Sequence, residues 1–234
     1  MNVVIIGPAL NGNKGAAAMI ESSVALLEEK YHNSDLKISL LSYYYKLDLN
    51  NNYLGKRIRI LNSTPLYLAL VIFPLAIIAR LRIFRGLVSR FNKEVHAILE
   101  ADLILDQGGI TFSDGREKYL IFNVATLLPM IILDKKIVKC AQALGPFKNK
   151  LNRFLAGIFL PKCHAIIARG TRTLGFLEEL KLSNVVLGTD LAFSLKDEVR
   201  SDILSNYVEL FNTLRGERLF YCPSVVVGLS LIHI

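Results

Sequence analysis

The 234-residue sequence has no tryptophan, only four histidines and only three cysteines, and these shortages remove several classes of protein at once. Cys140, Cys163 and Cys222 are odd in number and scattered, without Cys-x-x-Cys or histidine-paired spacing. That argues against a disulfide framework or a zinc site, and for buried structural thiols in a reducing cytoplasm. Glycine (15) and proline (7) stand at ordinary levels, which excludes collagen-like repeats. No secretory leader is expected either: the apolar run Val3-Val4-Ile5-Ile6 is short, lacks a basic leader and stops at Gly7. Acid is in deficit, with 20 Asp and Glu against 28 Lys and Arg, a formal charge of +8. Anionic partners are therefore favoured: phosphates, nucleic acid or an acidic membrane surface. The basic residues carry no interleaved aromatic platform or recognition motif, so nucleic acid is not expected among them.

What is abundant is apolar surface, 52% of the residues, enough for a well-buried core. Short β-branched runs at residues 3–6, 37–42, 102–106, 137–142, 165–169 and 185–187 read as strands. Segments of helical period at 16–29, 119–133, 150–160 and 173–180 read as helices between them. Such alternation predicts an α/β fold, a Rossmann-like parallel sheet with helices on both faces. Ligands in such sheets sit where loops leave the carboxyl ends of strands.

Two stretches depart from this rhythm. Residues 65–79 are almost wholly apolar, with Pro74 inside, and Arg80, Arg82, Arg85 and Arg90 follow without an acid among them. The run is shorter than the ~20 residues of a spanning helix. It reads as a buried helical hairpin, or as a monotopic patch whose arginines meet anionic headgroups. Near the end, residues 218–230 read as a strand entering a new core, and the last five residues look like translated adapter sequence. The expectation is a fragment: an N-terminal domain over 1–200 and the start of a truncated C-terminal domain over 201–234.

The residues able to carry chemistry gather at the predicted strand ends. Gly7 to Gly15 runs from the first strand into the first helix, with Asn13, Lys14 and Gly15 at the helix start, where exposed amides favour an anion. It is neither a P-loop nor Gly-x-Gly-x-x-Gly, and reads as a phosphate- or sugar-binding loop or as a plain turn. Asp106, Gly108 and Gly109 end another strand, and Asp114 follows on its loop. Two carboxylates in one cleft can divide acid and base roles, with Asp106 as a simple cap the plainer reading. The pair could also bind a metal, but no histidine neighbours them, and no metal is expected. Gln142 precedes the rigid turn Gly145-Pro146, Arg169 and Arg172 flank a helix start, and Asp190 closes a further strand. Arginine forks suit carboxylate or phosphate, or a surface salt bridge.

With these residues in view, the sequence resembles the polysaccharide pyruvyl transferase family over roughly residues 3–195. The resemblance rests on Gly7 with Asn13-Lys14-Gly15-Ala16, on Gly108-Gly109 with Phe112 and Asp114, and on Gln142 with Gly145-Pro146-Phe147. Arg169 with Thr173, and Asp190 with Ala192-Phe193, complete it. It implies a GT-B-like two-domain architecture, of which this chain is the N-terminal half. It also implies transfer of the enolpyruvyl unit of phosphoenolpyruvate to sugar hydroxyls of a cell-surface polysaccharide or its precursor, forming a pyruvate ketal without a cofactor. The site expected from it has Asp106 or Asp114 serving the acceptor hydroxyl. Asn13, Lys14, Gly15, Gly108, Gly109, Gln142, Arg169 and Asp190 bind substrate, Arg169 and Lys14 holding anions. The expected partners are phosphoenolpyruvate and a saccharide acceptor, free or lipid-linked, with peripheral contact to an anionic membrane. The expected location is the cytoplasm, at the inner membrane face, and the fragment alone is expected to be inactive. A nucleotide-sugar glycosyltransferase shares the architecture and is the alternative. A membrane-associated scaffold in polysaccharide assembly is a third reading.

Overall fold

The first strand shows why the chain folds as it does. Val3, Val4, Ile5 and Ile6 are all at most 1% exposed, so side chains on both faces of the strand are buried. Val3 and Ile5 belong to one apolar cluster with Ile20 and Val24 of the first helix, while Val4 and Ile6 belong to a larger one on the other face. The computed structural model describes residues 1–31 and 35–194. The strand expected at 218–230 and the second domain expected from 201 lie outside them.

Seven parallel strands form one sheet among the described residues: β1 (Asn2–Ile6), β2 (Lys37–Ser42), β3 (Arg59–Asn62), β4 (Leu103–Asp106), β5 (Ile137–Gln142), β6 (Ala165–Arg169) and β7 (Val185–Gly188). Their order is β3-β2-β1-β4-β5-β6-β7. The chain winds outward in one direction to β3, then returns to β4 beside β1 and winds the other way. This is the doubly wound Rossmann-like arrangement read from the sequence, and β1/β4 is its switch point.

The helices are α1 (Lys14–Lys30), α2 (Tyr45–Asn50), α3 (Pro65–Tyr67), α4 (Phe73–Arg80), α5 (Arg85–Phe91), α6 (Lys93–Glu100), α7 (Leu120–Ile132), α8 (Lys150–Phe159) and α9 (Gly170–Glu178). Asparagines start three of them. Asn13 accepts from the amides of Gly15 (2.9 Å) and Ala16 (3.2 Å), Asn92 from Val95 (2.8 Å), and Asn149 from Leu151 (2.9 Å) and Asn152 (3.2 Å). The apolar run at 65–79 is helical, with a π turn at Leu68–Ile72 between α3 and α4. It is half-buried rather than wholly buried, and the chain bends by 120° before continuing into α5. No single helix among the described residues is long and apolar enough to cross a membrane.

β5 ends irregularly. Lys139 pairs with Ile166 and Gln142 with Ala168, so three steps along β5 match two along β6. The extra residue makes a bulge, with Ala141 at φ +44°. In a regular strand residues three apart point to opposite faces, and the bulge brings Lys139 and Gln142 to the same side.

Candidate functional site: a cleft at the switch point

The loops leaving β1 and β4 touch. Gly7, at φ +96°, packs so closely that a Cβ there would meet the Gly108 amide nitrogen at 2.7 Å. Each loop is held from inside by a buried carboxylate. Asp48, fully buried on α2, accepts from the amides of Leu10 (3.0 Å) and Asn11 (2.9 Å), the Asn11 side chain (2.9 Å) and the Ser42 hydroxyl (2.5 Å). Asp106, at the end of β4, pairs through Oδ2 with Lys139 Nζ at 2.5 Å. Its Oδ1 accepts from the Gly108 amide (3.1 Å) and from Gln142 Nε2 (2.7 Å). Gln142 in turn accepts from the Thr111 hydroxyl at 2.5 Å. Gln107 Nε2 donates to Ser23 on α1, tying the β4 loop to the helix across the switch point.

Above these anchors lies a cleft of about 740 Å³. Asn13, Gly15, Gly108 and Gly109 line it together with Arg116, Tyr43, Tyr44, Asn123, Arg169 and Asp190. Arg169 leaves the end of β6 and Asp190 follows β7, and they pair at 2.7 Å. The chain past Asp190 then packs on α1, and Ala192 also lines the cleft. Among the described residues its charged lining is Arg116, Arg169 and Asp190, two cations against one carboxylate. Among the described residues, no three His, Cys, Asp or Glu come together as metal ligands.

Six of the expected site residues therefore line one cleft: Asn13, Gly15, Gly108, Gly109, Arg169 and Asp190. Lys14 faces a neighbouring hollow with Glu21 and Tyr53 instead. Gln142 lies beneath the Gly108 loop, wholly buried. The two carboxylates expected to share the cleft do not line it. Asp106 is 5% exposed and turned into the sheet by Lys139 and Gln142. Asp114 is drawn toward the start of α8, accepting from the amides of Lys148 (2.7 Å) and Asn149 (3.1 Å) and from Asn152 Nδ2 (2.8 Å). Burial alone raises its pKa, but those hydrogen bonds and the Lys148 charge outweigh it and hold Asp114 below the ordinary carboxylate value.

Sequence reasoning passed over Asp48, Lys139 and Arg116. A lysine inside the apolar stretch Ile137-Val138-Lys139-Cys140-Ala141 was a usable signal, since a buried ammonium needs a partner. Asp48, in a polar helix with nothing beside it in sequence to mark it, gave none.

Fold and cleft define a doubly wound α/β protein with an open cleft at its switch point. The profile of the polysaccharide pyruvyl transferase family matches residues 13–225, and the chain belongs to that family. No curated protein matches the chain significantly. Among solved structures, a UDP-N-acetylglucosamine 2-epimerase is 13% identical over 89% of this chain and 52% of its own, with a TM-score of 0.48. A putative UDP-N-acetylglucosamine 2-epimerase from Listeria monocytogenes is 14% identical over 87% and 50%, with a TM-score of 0.45. The chain spans about half the length of both.

Proposed function

We propose that the cleft binds phosphoenolpyruvate and that the protein transfers its pyruvyl unit to saccharide hydroxyls, as a pyruvate ketal. Family membership supports the reaction class, and one observation carries the donor assignment. Arg116 and Arg169 face a cleft whose only lining carboxylate among the described residues is Asp190. Phosphoenolpyruvate bears a carboxylate and a phosphate, the two groups an arginine fork fits best. Arg169 gives one nitrogen to Asp190, and a guanidinium has five N–H donors, so several remain for the donor's oxygens.

The chemistry then requires three things. C3 of the enol takes a proton, which makes C2 electrophilic. An acceptor hydroxyl adds to C2 and loses its proton. A second hydroxyl of the acceptor displaces the phosphate, which leaves as inorganic phosphate, closing the ketal. Asp190, the lining carboxylate among the described residues, takes the hydroxyl proton in this reading. In this reading Asp106 and Asp114 serve through the loops they hold, without touching the substrate. No cofactor is needed, since the donor carries its own leaving group.

Calorimetric titration with phosphoenolpyruvate, and separately with a panel of sugar nucleotides, tests this. Saturable phosphoenolpyruvate binding is expected, weakened about 10- to 100-fold in Arg169→Ala, the worth of one charged hydrogen bond. Affinity unchanged from that of the unaltered protein in both Arg169→Ala and Arg116→Ala would remove the cleft from donor binding. Binding of sugar nucleotides alone would replace the donor.

A further inference from the structure

The apolar run beside the cleft is unused by anything described so far. Along Pro65–Arg80, Leu68, Ile72, Ala76 and Ala79 are buried in the larger core cluster. The opposite side is apolar as well. Leu66 (71% exposed), Leu70 and Ile77 are exposed along it, and Leu81, just past its end, is exposed too. Beyond the bend, Ile83 (83%), Leu87 and Phe91 (78%) are also exposed, while Val88 turns inward. A surface helix ordinarily turns polar residues to water, and contiguous exposed apolar surface marks an interaction site.

Charge selects the partner. Residues 65–92 contain Arg80, Arg82, Arg85 and Arg90 and no Asp or Glu. None of the four is ion-paired among the described residues. Arg80 donates to the Ile132 carbonyl at 3.1 Å and Arg85 to that of Ala79 at 3.2 Å, neutral partners that leave both charges uncompensated. The field is felt nearby: burial first, and then the Arg85 charge, lowers the pKa of Lys135. The neighbouring α7 carries no charged residue and leaves Ile121 81% exposed.

We propose that the bend between Pro65–Arg80 and Arg82–Phe91 is a monotopic docking surface for a bilayer of anionic phospholipid. Leu66, Leu70, Ile83, Leu87 and Phe91 enter the boundary between headgroups and acyl chains, and the arginines bind headgroup phosphates. Neither leg is long enough to span by itself, and the 120° bend between them suits an element lying in the interface. Pro65, where the first leg begins, also lines the cleft, so docking sets the cleft mouth near the headgroups.

The test is cosedimentation of the whole chain with vesicles of phosphatidylcholine alone, or of phosphatidylcholine mixed with phosphatidylglycerol. Binding to the mixed vesicles only is expected, falling as salt is raised. Arg82→Ala and Arg90→Ala should each lower the partition coefficient about fivefold. Ile83→Asp with Phe91→Asp should abolish binding while circular dichroism and melting stay unchanged, since both side chains are already in water. Three results overturn the proposal: no binding to anionic vesicles, equal binding to both compositions, or a dimer that Ile83→Asp dissociates. The last would give the patch to a second copy of the chain. Donor titration reads a different surface, so either conclusion can fail without the other.

Discussion

Replacing Asp106 by Asn should destabilise the protein severely, and the reason lies in its partner rather than in the residue lost. Lys139 Nζ sits 2.5 Å from Asp106 Oδ2, with side chains 1% and 7% exposed. An asparagine keeps an oxygen for the Gly108 amide and Gln142, but it turns an amide toward the ammonium, or leaves it unpaired. Removing one member of a buried pair costs about 3–5 kcal/mol, because an isolated charge stays in a poorly polarisable interior. For a domain of this size that is roughly 10 °C in melting temperature. Adding Lys139→Met removes the stranded charge and fills the space with a flexible apolar chain. The double variant should therefore recover most of the loss, a coupling of about 2–3 kcal/mol. Urea unfolding of the four proteins of the cycle measures this. A loss below about 1 kcal/mol in Asp106→Asn, or strict additivity in the double variant, would refute the account of the pair.

Gly7→Ala should cost at least about 2 kcal/mol, since φ is +96° and the new methyl would lie 2.7 Å from the Gly108 nitrogen. Gly157→Ala, at an exposed position of α8 with nothing within 4 Å, should instead stabilise by about 0.5–1 kcal/mol, and thermal melts separate the two signs. Burial pushes Cys140 up to about 12 and Cys163 up to about 11, so iodoacetamide should leave both unlabelled in the native protein. Peptide mapping that found either labelled as fast as in the unfolded chain would contradict the packing. Asp114, whose folded-state pKa is lowered, stabilises the fold fully above about pH 4, and that stability fades as pH falls through the lowered value. Asp114→Asn should flatten that part of the stability–pH curve and, if Asp114 never touches substrate, leave turnover near normal.

The strands were legible because their signal is local. β2, β5 and β6 occupy the residues read from the sequence, and β1, β4 and β7 differ by one residue at an end. β3 was missed because Arg59-Ile60-Leu61-Asn62 has only two apolar residues and lies at the sheet edge. The cleft was legible in part, as the residues at strand ends do converge. What sequence could not supply was the direction of each side chain. Asp106 and Asp114 are eight positions apart and look like a pair, yet a bulge in β5 brings Lys139 and Gln142 to the first, and the start of α8 captures the second. Both captors lie more than thirty residues away in sequence, beyond any local pattern.

This withdrawal of carboxylates bears on what the cleft can bind. The β1 loop is fastened by Asp48 and the β4 loop by Asp106, both from below. Each carboxylate spends its acceptors on backbone amides and buried partners, so its charge is neutralised or screened before it reaches the cleft. Had the loops been fastened from above by the same acids, the cleft would hold three carboxylates against Arg116 and Arg169. With the fastenings inside, Asp190 alone among the described residues remains to oppose them, and its pairing with Arg169 leaves Arg116 as the uncompensated charge of that lining. Neutralising Arg116 should therefore weaken an anionic ligand and barely change a neutral sugar, whereas neutralising Asp190 should free Arg169 and tighten the anion while slowing any step that needs a proton acceptor.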